Sequence, residues 1–248
     1  KSLANGVDPR DIIHTHGADA MRFTLAQMAT DTQDVRLSVD LLDPFGGQTF
    51  APKTMVTAAG YTVAEPIQAS PSDPKRRMVS AYGAASGLAT PTDDMPLARN
   101  TSSRFDIGRN FATKVWNASR FALGSLAQVP GRTDLDPRTR PLCDRWILSR
   151  AAAALKTYDA AISQYRFSNV ADVAYDFVWR ELCDWYLEAI KPTVRNDPDQ
   201  QQVLRTVLDV ALRLLHPTMP FITEQLWASV QATGAGGVKG LALPTSAL

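Results

Sequence analysis

Apolar positions recur at helical spacing through most of the chain's second half. Phe111, Val115, Ala118 and Ala122 are spaced four, three and four, which predicts one face of a helix over about 107–126. Leu155, Tyr158, Ile162 and Tyr165 predict a second helix over about 142–165. Val170, Ala174, Phe177, Leu182 and Trp185 mark the inward face of a third, over about 169–190, with Pro192 just beyond its end. Val203, Val207, Val210 and Leu214 define a fourth over about 200–215, broken by His216-Pro217. Thr218 and Pro220 open a fifth that buries Ile222, Leu226, Trp227 and Val230. Amphipathic helices joined by short loops predict an α-helical bundle, so the fold class is mainly α.

The first half reads differently. Asp8-Pro9 is an N-cap followed by proline at the first helical position, and Asp11 sits near the positive helix end. Gly17 punctuates, and a helix over about 18–28 follows with Met21, Leu25 and Met28 on one face. Residues 34–39 suit a short extended piece. From 41 to 103 prolines (44, 52, 66, 71, 74, 91, 96) and glycines (46, 47, 60, 83, 87) are too dense for a helical period. This segment reads as an irregular insertion, with 54–63 able to pair as a short hairpin because Val56, Tyr61 and Val63 suit strands. The Gly/Ala-rich tail from 231 to 248 reads as loose.

Charge changes this picture only locally. With 26 Lys and Arg against 25 Asp and Glu the net charge is +1, so no bulk field argues for nucleic acid. Between 104 and 150, however, nine basic residues face four acidic ones, whereas residues 1–103 carry nine against eleven. Such an excess points to a phosphate-bearing partner, or else to a solvated helix face. Two cysteines, Cys143 and Cys183, and no secretory signal fit a reduced, cytoplasmic protein. No apolar run is long enough to span a bilayer, and a start at Lys1 rather than Met reads as a fragment or processed piece.

The candidate chemistry lies beside the first long apolar stripe. If Phe111, Val115, Ala118 and Ala122 face the core, Asn110, Lys114, Asn117 and Phe121 form the adjoining stripe, with Arg120 next to it. An aromatic ring beside cations and amides suits unstacked RNA bases: the ring stacks, the cations hold phosphate and the amides read base edges. The alternative is that Phe121 packs on another helix and Lys114 is solvated. Arg145 and Arg150 either touch an RNA backbone or pair with Asp144 or a neighbouring helix. Glu181, Asp184 and Glu188 read as an ion-paired face near Arg180 or Lys191, and Trp179, Trp185 and Tyr186 as core. Lys75-Arg76-Arg77 reads as a solvated loop, His216-Pro217 as a helix junction, and His14 and His16, two apart, as no metal pair.

Several segments resemble one family. Lys1-Ser2-Leu3-Ala4-Asn5-Gly6-Val7-Asp8-Pro9 looks like the end of the Lys-Met-Ser-Lys-Ser loop of class I aminoacyl-tRNA synthetases. Gly17-Ala18-Asp19-Ala20-Met21-Arg22-Phe23 resembles the helix that follows it in the valine, isoleucine and leucine enzymes. Gln33-Asp34-Val35-Arg36, Arg109–Phe121, Asp144–Arg150 and Cys183–Glu188 resemble the valine branch, with the isoleucine branch as the alternative. Leu215-His216-Pro217-Thr218-Met219-Pro220-Phe221 is shared across the branched-chain enzymes.

The resemblance implies the end of a catalytic domain and a stem-contact-like linker over 1–40, an insertion over 41–103, and an anticodon-binding bundle over 104–230. It also implies that helix 107–126 lies near the anticodon, with Asn110, Lys114, Asn117, Arg120 and Phe121 as the residues binding tRNA. Lys1 would steady ATP phosphates, and Ser2 would support it, during formation of a valyl-adenylate in the presence of Mg2+. The nucleotide-binding half, the editing domain and the C-terminal coiled-coil arm are absent. The implied role of this piece is therefore to bind the valine tRNA rather than to catalyse, with no cofactor of its own, no DNA and no membrane, and with the missing catalytic domain as partner. A general RNA-binding module and a fragment inactive by itself are the alternatives.

Overall fold

A computed structural model describes residues 4–30, 34–35, 37–126 and 136–232. The chain divides into two compact units, one of Lys1–Gly17 with Arg36–Asp106 and one of Ala18–Val35 with Ile107–Leu248. Lys1 and Ser2, the proposed loop end, and the tail from 233 lie outside the described residues.

In the first unit α1 (Pro9–His16) begins where Asp8 accepts from the backbone N–H of Arg10, with Pro9 at the first helical position. It stops at Gly17, whose φ of 93° favours glycine. The segment read as an irregular insertion holds short antiparallel strands. β1 (Asp40–Leu42) pairs on one side with β2 (Thr49–Phe50) and on the other with β7 (Arg99–Thr101). β3 (Thr54–Val56) and β4 (Thr62–Ala64) make the expected hairpin, Met55 facing Val63. β5 (Ile67–Ala69) pairs with β6 (Arg77–Val79), and the short α3 (Ala81–Ser86) follows. Strands of two or three residues are too brief to show an alternating pattern, and the prolines lie between them rather than in them. A small core of Leu41, Met78 and Ala98 lies between these pieces, with Phe45 and Phe50 packed on it. Asp43, fully buried, accepts from the hydroxyls of Ser70 (2.7 Å) and Ser72 (2.6 Å) and from the N–H of Phe45.

Every regular element among the described residues of the second unit is helical. It comprises α2 (Ala18–Met28), α4 (Asp106–Ser125), α5 (Leu142–Ser163), α6 (Phe167–Tyr175), a π-helical stretch (Asp176–Tyr186), α7 (Leu187–Ile190), α8 (Pro198–Leu215) and α9 (Pro220–Ala232). Its core joins Phe111, Val115, Ile147, Tyr158, Phe177, Leu182, Leu204 and Leu212, among others. Two of the sequence motifs meet here. The Asp19 carboxylate accepts from the N–H groups of Phe221 (3.1 Å) and Ile222 (2.7 Å), capping α9 from another helix, while the Arg22 guanidinium donates to the Pro217 carbonyl. That demand turns α2: it buries Asp19, Ala20, Phe23 and Thr24, and Leu25 of the expected Met21–Leu25–Met28 face is exposed.

Two further expectations need correction. Tyr165 is 78% exposed rather than inward, because α5 ends at Ser163 and Tyr165 takes a left-handed φ of 57°, so helical spacing no longer places it. Trp185 is 70% exposed rather than core. Across 176–186 the i→i+5 winding puts Phe177 and Val178, Leu182 and Cys183, then Tyr186 inward, which rotates Trp185 out. Trp179 is half-buried against the core and Tyr186 fully buried.

Gly108 permits the close crossing of α4 on α2. A Cβ there would lie 2.4 Å from the Ala20 carbonyl oxygen and 2.8 Å from the Ala20 Cα, both backbone atoms that have no way to swing aside. Gly108→Ala gains helix propensity of up to about 1 kcal/mol. Overpacking outweighs it, and a net loss of about 1–2 kcal/mol is expected, read as a lowered thermal midpoint.

Candidate nucleic-acid interface

The stripe of α4 opens onto a groove of about 490 Å³ facing the π-helical stretch and α7. Asn110, Thr113, Lys114, Asn117, Ala118 and Phe121 form one wall; Cys183, Asp184, Leu187, Glu188 and Lys191 form the other. The neighbouring face holds as expected: Phe111, Val115 and Ala122 are buried and Ala118 half-buried, which leaves Asn110 and Asn117 exposed and Phe121 half-buried at the groove. Four of the five candidate residues are therefore brought together. Arg120 is exposed next to them but does not line the groove.

Lys114 is not a free cation. Its ammonium donates to Asp184 and sits 3.8 Å from the centre of the Trp179 ring, a cation–π contact. Trp179 is held in turn by stacking on Tyr175 (5.3 Å), which meets Phe111 (4.8 Å), which meets Phe23 of α2 (4.9 Å). The other carboxylates are paired in the same way: Arg150 with Glu181 (2.6 Å) and Lys191 with Glu188. Lys191 also lies 5.8 Å from the centre of the Phe121 ring. Lys191, Asp184 and Glu188 belong to the groove although sequence reading assigned them only to a charged face. The Glu188–Lys191 pair is visible as an i,i+3 spacing, but nothing local signals a Lys114–Asp184 contact seventy positions apart. On the groove floor burial pushes the Cys183 thiol up to about 12, partly offset by Lys114, so it acts as a neutral, apolar surface.

Much of the basic excess over 104–150 is neutralised. Arg138 pairs with Asp136, and Arg140 with Asp144, Asp197 and Asp199. Among the described residues Arg120 and Arg145 make no ion pair, which leaves them as cations available to a phosphate backbone. Lys75, Arg76 and Arg77 are exposed, and Arg76 lies over the Phe45 ring. His14 is exposed and His16 buried, so the two share no face. His216 ends α8, its Nδ1 2.8 Å from the Thr223 hydroxyl. No helix among the described residues is long and apolar enough to cross a membrane.

A helical bundle with a paired groove of this kind defines a class when set beside known proteins. Residues 144–241 match the anticodon-binding domain of tRNA ligase, and residues 1–38 match the class I tRNA synthetases for I, L, M and V. The chain belongs to the class I tRNA ligases. Within them it is similar to valine–tRNA ligases. That of Rhodopirellula baltica is 39% identical over 231 residues, 92% of this chain and 21% of that protein. That of Syntrophotalea carbinolica is 34% identical over 236 residues (93% and 19%), and that of Thermotoga maritima 31% over 236 (94% and 20%). The chain spans about a fifth of the length of the curated relatives it matches.

Proposed function

We propose that this segment binds the valine tRNA at its anticodon within a valine–tRNA ligase, an enzyme that joins valine to tRNA through a valyl-adenylate made from ATP. The observation that carries the reading is the convergence of Asn110, Lys114, Asn117 and Phe121 on one open groove. A half-exposed ring offers a stacking surface, amides on the same wall offer base-edge hydrogen bonds, and Arg120 beside it offers charge to the backbone. The segment's part in the reaction is positional: docking the anticodon orients the distant acceptor end.

ATP and Mg2+ belong to the whole enzyme. Lys1 and Ser2 would serve the ATP phosphates, with Lys1 supplying positive charge and Ser2 a hydrogen bond. The cytoplasm is the compartment that fits two free thiols, Cys143 and Cys183.

The test is binding of this chain to a valine tRNA transcript and to one with an exchanged anticodon, across a salt series. A preference of at least about tenfold for the valine anticodon is expected. Equal, salt-steep binding to both would reduce the groove to a general RNA contact and overturn the reading.

A further inference from the structure

The inserted strands do more than fill a gap between motifs. Asn100, on β7 and only 8% exposed, donates through one side-chain nitrogen to two carbonyls of the N-terminal segment, Ala4 at 2.7 Å and Gly6 at 2.8 Å. Both partners are acceptors, so only the amino end of the amide satisfies them. Ala4 has a φ of 47°, a left-handed conformation that an L residue with a side chain disfavours and that needs an external hold. The preceding residue of the same strand, Arg99, donates to Asp11 of α1 at 2.8 Å. β7 is itself fixed along β1, Leu41 facing Asn100, and the N–H of Ala98 donates to Val79 of β6. Ala4 and Asn5 also line an open cleft of about 190 Å³ with Leu41, Val63, Tyr82 and Asn100. Among the described residues the side-chain hydrogen bonds that hold 4–6 come from the Asn100 amide.

We propose that the insertion is a brace for the signature segment: Asn100, a positioning residue, and Arg99 beside it fix residues 4–11, and through that stretch support the activation step that Lys1 and Ser2 serve. This rests on the reading given above for Lys1 and Ser2. It gives the 41–103 segment a role in the activation step rather than in tRNA docking.

The test uses the intact ligase that contains this chain. Asn100→Asp keeps the shape but removes the donor and sets an acceptor against two carbonyls; Arg99→Ala removes only the outer tie. Amide hydrogen exchange over residues 4–11 is expected to quicken about tenfold in Asn100→Asp and less in Arg99→Ala, with exchange over 107–126 unchanged. Valine-dependent ATP–pyrophosphate exchange is expected to fall by about tenfold to a hundredfold, while tRNA affinity is retained. A merely structural role would lower both together and quicken exchange in α4 as well, and that result overturns the brace. Unchanged exchange over 4–11 and unchanged activation in both variants overturn it too. If the unsubstituted enzyme makes no valyl-adenylate, the reading of Lys1 and Ser2 falls, and the exchange over 4–11 still decides whether Asn100 holds the segment.

Discussion

Asp144→Ala is expected to cost the helical unit about 3–5 kcal/mol, the scale seen when one partner of a buried charge pair is removed. Asp144 is fully buried near the start of α5. One carboxylate oxygen accepts from Arg140 at Nε (3.1 Å) and Nη2 (2.9 Å); the other accepts from the Tyr186 hydroxyl (2.9 Å) and the Gln200 amide (3.2 Å). Arg140 reaches on to Asp197 (2.8 Å) and Asp199 (3.3 Å). One side chain thus ties the start of α5 to the end of the π-helical stretch and the start of α8. Truncation would leave a buried phenol and a buried amide without their acceptor and take from the buried guanidinium one of its three carboxylates.

Denaturant unfolding followed by circular dichroism checks this. A midpoint close to that of the unsubstituted protein would show that the hub is dispensable. Asp144→Asn, which keeps the shape and part of the hydrogen bonding, should lose less. The network's outer end also depends on pH. Burial raises the Asp197 carboxyl, but the N–H of Gln200 and the Arg140 guanidinium outweigh it and hold its pKa below 3.8. A depressed carboxylate stabilises the fold at neutral pH, and that contribution is lost as pH falls through the lowered value.

The hub shows where sequence reading stops. Sequence reading offers Arg145 or Arg150 as the partner of Asp144, whereas its partner is Arg140, just before the helix, and only the fold brings Tyr186 and Gln200 to the same carboxylate. The long helices were legible because their burial has a period: α4 falls over Asp106–Ser125 against an expected 107–126, and α8 over Pro198–Leu215 against 200–215. Trp185 and Tyr165 were misplaced for a shared reason. A period of 3.6 fails where winding widens to the π form and where a residue takes a left-handed turn, and neither change leaves a mark in composition. The groove was half legible. The α4 wall follows from spacing on one helix, whereas the opposing wall of Asp184, Glu188 and Lys191 depends on a packing that no local pattern encodes.

That second wall alters what each side chain is expected to contribute to tRNA binding. Phe121→Ala should weaken binding to the valine tRNA about tenfold or more, since stacking one base on an aromatic ring is worth roughly 1–3 kcal/mol. The ring is half-buried, so thermal melting of the variant must accompany the titration; a bundle that stays folded assigns the loss to the groove. Lys114→Ala should cost less than a free phosphate-binding lysine would, because RNA must first draw the ammonium away from Asp184 and Trp179. Asp184→Ala, conversely, releases Lys114 and is expected to strengthen binding to both matched and exchanged anticodons while steepening its salt dependence. Arg120→Ala, outside the groove, should weaken both tRNAs alike and lower the salt slope by about one ion. The contrast is the decisive part. A Phe121→Ala loss confined to the matched anticodon, beside a uniform Arg120→Ala loss, separates base recognition from backbone attraction. Equal losses in the two variants on both tRNAs would mean that the groove reads no base at all.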